Sequence, residues 1–163
     1  MKRATLIVSL VLVSLLMGYA AAKTKQNQTG NSSTVDYRSQ REIDETVKRL
    51  INERQLLTTL IGAQTDNYFL AVVQRTERGE AETHANFDDL FIVREGAAEM
   101  IVGGEIVSPK ETAPGEWRGP SIKGGRSITL GVGDTLRIAR GTPHQTVPRS
   151  PFTSLVVKVR TEK

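Results

Sequence analysis

His84 and His144 are the only histidines in this 163-residue chain, and it contains no cysteine. Without a thiol there is no disulfide scaffold, zinc finger, iron–sulfur cluster or cysteine nucleophile, and imidazole chemistry is confined to two positions. A carboxylate stands close to the first. Glu82 precedes His84 by two residues, which on an extended strand points both side chains to the same face. Asp89 follows His84 by five, so a bend must separate them, and Asn86 in the gap suits a turn. Beyond it, Asp89, Phe91 and Val93 alternate onto one face of the next strand, which sets the carboxylate beside His84 if the two strands adjoin. No Ser-His-Asp order, phosphate-cradling loop or dinucleotide fingerprint is present in the sequence.

The elements that must position these groups are mostly strands. From residue 66 onward, short runs rich in β-branched and aromatic residues alternate with turn residues, and the runs at 68–74, 90–93, 99–103, 127–131, 135–139 and 154–159 read as strands. Gly103-Gly104, Gly124-Gly125 and Gly133-Asp134 mark turns between them. Six or more short strands in about a hundred residues predict an all-β barrel or jelly roll. One helix precedes them. Ser39 and Glu42 form a capping box, and Ile43, Val47, Leu50 and Ile51 make a narrow apolar stripe that must pack one side of the helix on something, its own domain in preference to a partner or a membrane surface. Residues 108–125 carry the chain's only tryptophan and read as a long loop. Trp117 and Arg118 either form a flap over a ligand or Trp117 anchors the loop itself.

Two segments of this region resemble the paired motifs of the cupin superfamily. Residues 82–96, with His84, Asp89 and Gly96, are similar to the first, H-x-H followed by three or four residues, E, six residues and G. Residues 133–144, from Gly133 through Gly141 to His144, are similar to the second, G-x5-P-x-G-x2-H. The resemblance implies a cupin-type double-stranded β-helix, a jelly-roll barrel that is often dimeric and commonly holds one divalent metal on three histidines and a glutamate. His84 and His144 match that set, Asp89 stands for the glutamate, and Glu82 occupies the place of the first histidine. Ala139 and Pro148 also depart from the pattern. Two imidazoles and a carboxylate suit iron, manganese or zinc and leave positions open for substrate. The expected ligands are therefore His84, Asp89 and His144, with Glu82 as fourth ligand or general base. With neutral imidazoles such a site sums to zero charge once a divalent ion is bound, which predicts weaker attraction for anions than the full family set has.

The chain opens on Met1-Lys2-Arg3, continues through an uncharged run to residue 22 and ends that run in small residues, the pattern of a secretory signal. If uncleaved, the run is long enough to tether the chain to a membrane. Its removal takes two cations and no acid from the chain, lowering the net charge from +4 to +2, too small an excess to suggest nucleic acid. The expected organisation is a signal peptide at 1–22, a polar linker at 23–35, an N-terminal helical segment at 36–62 and the β-barrel at 63–163. Composition is that of an ordinary globular domain, with 38% hydrophobic and 25% charged residues, and argues against disorder. Two functions fit: a secreted or periplasmic metal-dependent enzyme of oxygenase, isomerase or lyase type acting on a small organic molecule, or a non-catalytic module that binds a small ligand without metal.

Overall fold

The computed structural model describes residues 35–62 and 67–161. The signal and most of the linker lie outside them. Helix α1 (Gln40–Glu53) begins at Ser39, whose side chain accepts from the Glu42 amide while the Glu42 carboxylate accepts from the Ser39 amide, completing the capping box. It ends at Arg54, which adopts a left-handed conformation. Thirteen strands follow: β1 (Leu57–Gly62), β2 (Tyr68–Arg75), β3 (Ala81–His84), β4 (Phe87–Glu95), β5 (Ala98–Val102), β6 (Glu105–Ile106), β7 (Lys110–Ala113), β8 (Glu116–Gly119), β9 (Ile122–Lys123), β10 (Arg126–Leu130), β11 (Thr135–Ile138), β12 (His144–Pro148) and β13 (Phe152–Arg160).

All pairings are antiparallel, in one sheet ordered β1-β2-β13-β4-β11, a second ordered β10-β5-β12-β3-β8-β7, and a small β6-β9 pair. The two larger sheets pack face to face. Phe91, Val93, Ile138, Phe152 and Val156 from the first meet Ala98, Met100 and Leu130 from the second in one buried cluster. Strands therefore alternate inward apolar and outward polar positions, as half-buried antiparallel sheets require.

Helix α1 covers the outer face of the five-stranded sheet. Ile43, Val47 and Leu50 pack on Val72 of β2 and Leu155 of β13, with Leu60, Leu70 and Ile92 at the edges. The expected stripe is corrected at one position. Ile51 is 43% exposed, and Thr46 is buried in its place, its hydroxyl donating to the Glu42 carbonyl. The helix also stops well short of residue 62, because Leu57–Gly62 pairs with β2 as the edge strand of the sheet. Strands β7 and β8 form a hairpin inside the segment expected to be a loop.

Gly96, the glycine of the first motif, has φ of +73°, and a Cβ there would lie 1.9 Å from the Pro151 carbonyl oxygen. Only glycine fits this turn between β4 and β5.

Candidate metal centre

Strand register brings the site together. On β3, Glu82 and His84 share the inward face. Glu82 lies directly opposite His144 of β12 on one side and opposite Arg118 of β8 on the other, and His84 lies opposite Glu116 of β8. Asp89 sits on β4 in the facing sheet, opposite Lys158 of β13. The two strands carrying His84 and Asp89 thus belong to different sheets. The carboxylate reaches the histidines across the barrel interior and not from an adjoining strand, a correction to the sequence expectation.

His84 Nε2 stands 3.4 Å and His144 Nε2 3.5 Å from the Asp89 carboxylate, and 4.0 Å and 3.6 Å from the Glu82 carboxylate. The outer nitrogens are engaged. His84 Nδ1 lies 2.5 Å from Glu116 Oε2, and His144 Nδ1 lies 3.1 Å from the Thr142 carbonyl oxygen. Both partners are acceptors, so each Nδ1 carries its proton and donates it. In the neutral imidazole each Nε2 is then left with a lone pair directed inward. Both Nε2 atoms are buried and have no hydrogen-bond partner.

The carboxylates have cationic partners. Arg118 lies 2.7 Å from Glu82, and Lys158 lies 2.7 Å and 2.8 Å from the two oxygens of Asp89. Burial works against the charged form of each acid, but the His144 contact and the surrounding cations outweigh it, holding both carboxyls well below the usual carboxylate range. The histidines respond in the opposite sense. Burial pushes them down, whereas Asp89 together with Glu82 pulls His144 up to about 9, and Asp89 with Glu116 raises His84. Arg137 donates from Nε to Asp88 at 2.9 Å on the outer side of β4.

The donor set fits a divalent metal. Glu82, His84 and His144 present ligating atoms within 4.8 Å of one another. Two nitrogens and a carboxylate oxygen bound to one ion at about 2.1 Å would stand roughly 3 to 3.5 Å apart, so these side chains would have to close in by up to about an ångström to hold one. Glu82, expected from sequence as a fourth ligand or base, groups with the two histidines, while both oxygens of Asp89 are held by Lys158.

Both sequence motifs end in this one centre, with His84 and His144 projecting from neighbouring strands of one sheet and Asp89 facing them from the other. The fold is the jelly-roll barrel expected from the two motifs. No protein-family model matches the sequence, and no curated protein matches it. Among solved structures, the chain is similar to BH2720 of Bacillus halodurans at 13% identity, covering 82% of this chain and 87% of that one with a TM-score of 0.55. It is also similar to a cupin-2 domain containing protein of Shewanella frigidimarina, at 17% identity over 71% and 92% of the two chains with a TM-score of 0.47. A third similar structure is KdgF of Halomonas sp., at 18% identity over 66% and 82% with a TM-score of 0.45. At such identities the likeness is one of fold.

The barrel holds a cavity of about 580 Å³ that opens onto Glu82, His84 and Asp89. Its walls mix apolar residues such as Phe69, Phe87 and Val156 with the cations Arg75, Arg118, Lys158 and Arg160. Glu116, Lys158 and Arg160 were not singled out from sequence. Their signal was alternation: Val156, Lys158 and Arg160 occupy every second position of one strand and all line the cavity. Trp117, in contrast, is 38% exposed, and its neighbour Arg118 serves Glu82.

Proposed function

We propose that this cupin barrel binds one divalent metal at Glu82, His84 and His144 and acts on a small organic molecule held in the cavity. The observation that carries the proposal is the pair of buried, unpartnered Nε2 atoms converging on a carboxylate. Buried polar atoms are almost always hydrogen-bonded, and two such orphans side by side call for a shared partner. Iron, manganese or zinc suits two imidazoles and a carboxylate, and such an ion supplies Lewis-acid chemistry, with redox chemistry added for iron or manganese. Glu116 and the Thr142 carbonyl fix the histidine tautomers, and Arg118 orients the Glu82 carboxylate. Glu82 with its lowered pKa is a weak base and better suited to ligation than to proton abstraction. Asp89, held by Lys158 and 3.4 and 3.5 Å from the two Nε2 atoms, keeps a second negative charge beside them.

Metal analysis of the purified protein after reconstitution tests this. One equivalent of iron, manganese or zinc is expected. His144→Ala should release it, because the only other histidine is already a ligand, and Glu82→His should hold it at least as tightly as the parent chain.

The second reading is a non-catalytic module that binds a small ligand without metal. It is favoured by the two cations, Arg118 and Lys158, which already compensate both carboxylates. Absence of metal after reconstitution, with an inert Glu82→His variant, would make this reading the better one.

The proposal includes export to the periplasm or the cell exterior and assembly as a homodimer. The basic start and uncharged run of residues 1–22 support the first and the resemblance to cupins the second. Mass spectrometry should find a mature chain beginning near Lys23, and light scattering should give twice the mass of one chain. A chain that keeps Met1 and fractionates with membrane would indicate a tether.

A further inference from the structure

Four cations line the cavity against three acids, Glu82, Asp89 and Glu116. Three of the cations are engaged: Arg118 with Glu82, Lys158 with Asp89, and Arg160 over the Phe87 ring at 4.4 Å from its centroid. Arg75 is different. Among the described residues its guanidinium makes no hydrogen bond and no ion pair.

We infer that Arg75 is the anchor for a carboxylate on the molecule the cavity takes, so that the ligand is a small organic acid with an apolar body. This rests on reading the cavity as the substrate site. The position follows from strand alternation: Phe69, Ala71, Val73 and Arg75 share the inner face of β2, which places the guanidinium at the end of an apolar wall. The segment after β2 folds back over it. A Cβ on Gly79 would lie 2.8 Å from Arg75 Nη1, so the absence of a side chain there makes room for the guanidinium. Gly79 itself is pinned, its amide donating to the Thr146 carbonyl at 2.9 Å and its carbonyl accepting from Gln145 Nε2 at 2.8 Å.

A positioned, charged fork with no protein partner is matched by a carboxylate, which it can bind through two parallel hydrogen bonds. Burial costs the unpaired charge, and an anionic ligand removes that cost. The surplus of positive charge points the same way and grows by two when a divalent metal is bound. Sequence alone predicted a site of zero net charge and weak attraction for anions. That sum omitted Arg75, Arg118, Lys158 and Arg160, none of which belongs to the motifs. The cavity volume lies within the range of small-molecule sites, and Phe69, Phe87 and Phe91 offer an apolar surface to the body of the acid.

The test uses isobutyrate, benzoate and 3-phenylpropionate, each beside its primary amide, with inorganic phosphate as a further anion. Calorimetry is run first on the full chain stripped of metal, so that ligation of the acid by an ion does not enter. At least one acid is expected to bind, with its amide weaker by about tenfold or more, as loss of a charge-assisted pair predicts. Arg75→Gln should weaken the acid by at least about tenfold and leave the amide unchanged, and Arg75→Lys should fall between. The NMR signal of the Arg75 Nε–Hε group in the unaltered chain should move with acid and stay with amide. This reading stands even if Arg75→Gln fails to fold.

No binding by any of the three acids, equal binding by Arg75→Gln, or an Arg75 signal that ignores acid would overturn the inference. Tighter binding of phosphate than of every acid would replace carboxylate with phosphate as the ligand group and overturn it also. Metal stoichiometry is measured separately. A chain that takes no metal yet holds the acids through Arg75 would lose the metal-dependent reading and keep this one.

Discussion

Glu82 and His144 face each other as register partners across β3 and β12, with the carboxylate 3.6 Å from the imidazole Nε2. The same carboxylate is clasped by Arg118 from the opposite neighbour strand. One residue thus links an imidazole on one side to a guanidinium on the other, and a slip of one position in β3 would turn both Glu82 and His84 away from the interior.

This linkage sets the pH dependence. In the metal-free protein His144 is pulled up to about 9, against an unfolded value near 6.5. A raised folded pKa stabilises the fold most fully below the unfolded value, and that contribution is lost as pH rises through about 9. Metal binding needs the same proton to leave, so apparent affinity should strengthen about tenfold per pH unit, for each proton displaced, between roughly 6.5 and 9. Thermal melts with and without zinc across this window check both signs: the metal-free melting temperature should fall as the zinc-induced rise grows. An unperturbed histidine would place the same change near about 6.5.

Glu116 acts on the metal through His84. Glu116→Ala removes the acceptor on Nδ1, frees the ring to change tautomer or rotate, and should weaken metal binding about 10- to 100-fold. Competition with a chelator measures it. Circular dichroism should stay unchanged, since Glu116 lies on the β7–β8 hairpin away from the buried cluster that joins the two sheets.

Leu50→Ala probes the docking of helix α1. Leu50 has no exposed surface and sits against the outer face of β2 and β13, so truncation should cost about 2–5 kcal/mol in a denaturant titration. Metal affinity in the folded variant should match the parent chain, because the helix covers the face of the sheet opposite the site. A stability unchanged within error would show that the helix is not docked in solution.

Much of the fold was legible in the sequence because local rules were sufficient for it. The capping box at Ser39 and Glu42, the strands with strong β-branched runs, the turn at Gly133-Asp134 and the inward alternation of Asp89, Phe91 and Val93 all follow from propensities and periods spanning a few residues. His84 and His144 were found because the chain has no other histidines, and their place in the site because both motifs resemble those of a known family. Strands β3 and β12 are short and polar, and β7 and β8 are rich in charge, so these strands carried little hydrophobic signal to read. Which cation compensates which acid could not be read at all. Glu82 meets Arg118 and Asp89 meets Lys158 because positions 36 and 69 residues apart in sequence come into register, and cross-strand pairing is set by the closure of the whole barrel. The sequence determined that two imidazoles and two carboxylates would share one barrel interior. Only the tertiary structure decided that both carboxylates carry cationic partners, that the histidines turn their Nε2 atoms inward, and that Arg75 is left facing the cavity with no partner among the described residues, because each of these depends on which side chains the two sheets bring face to face.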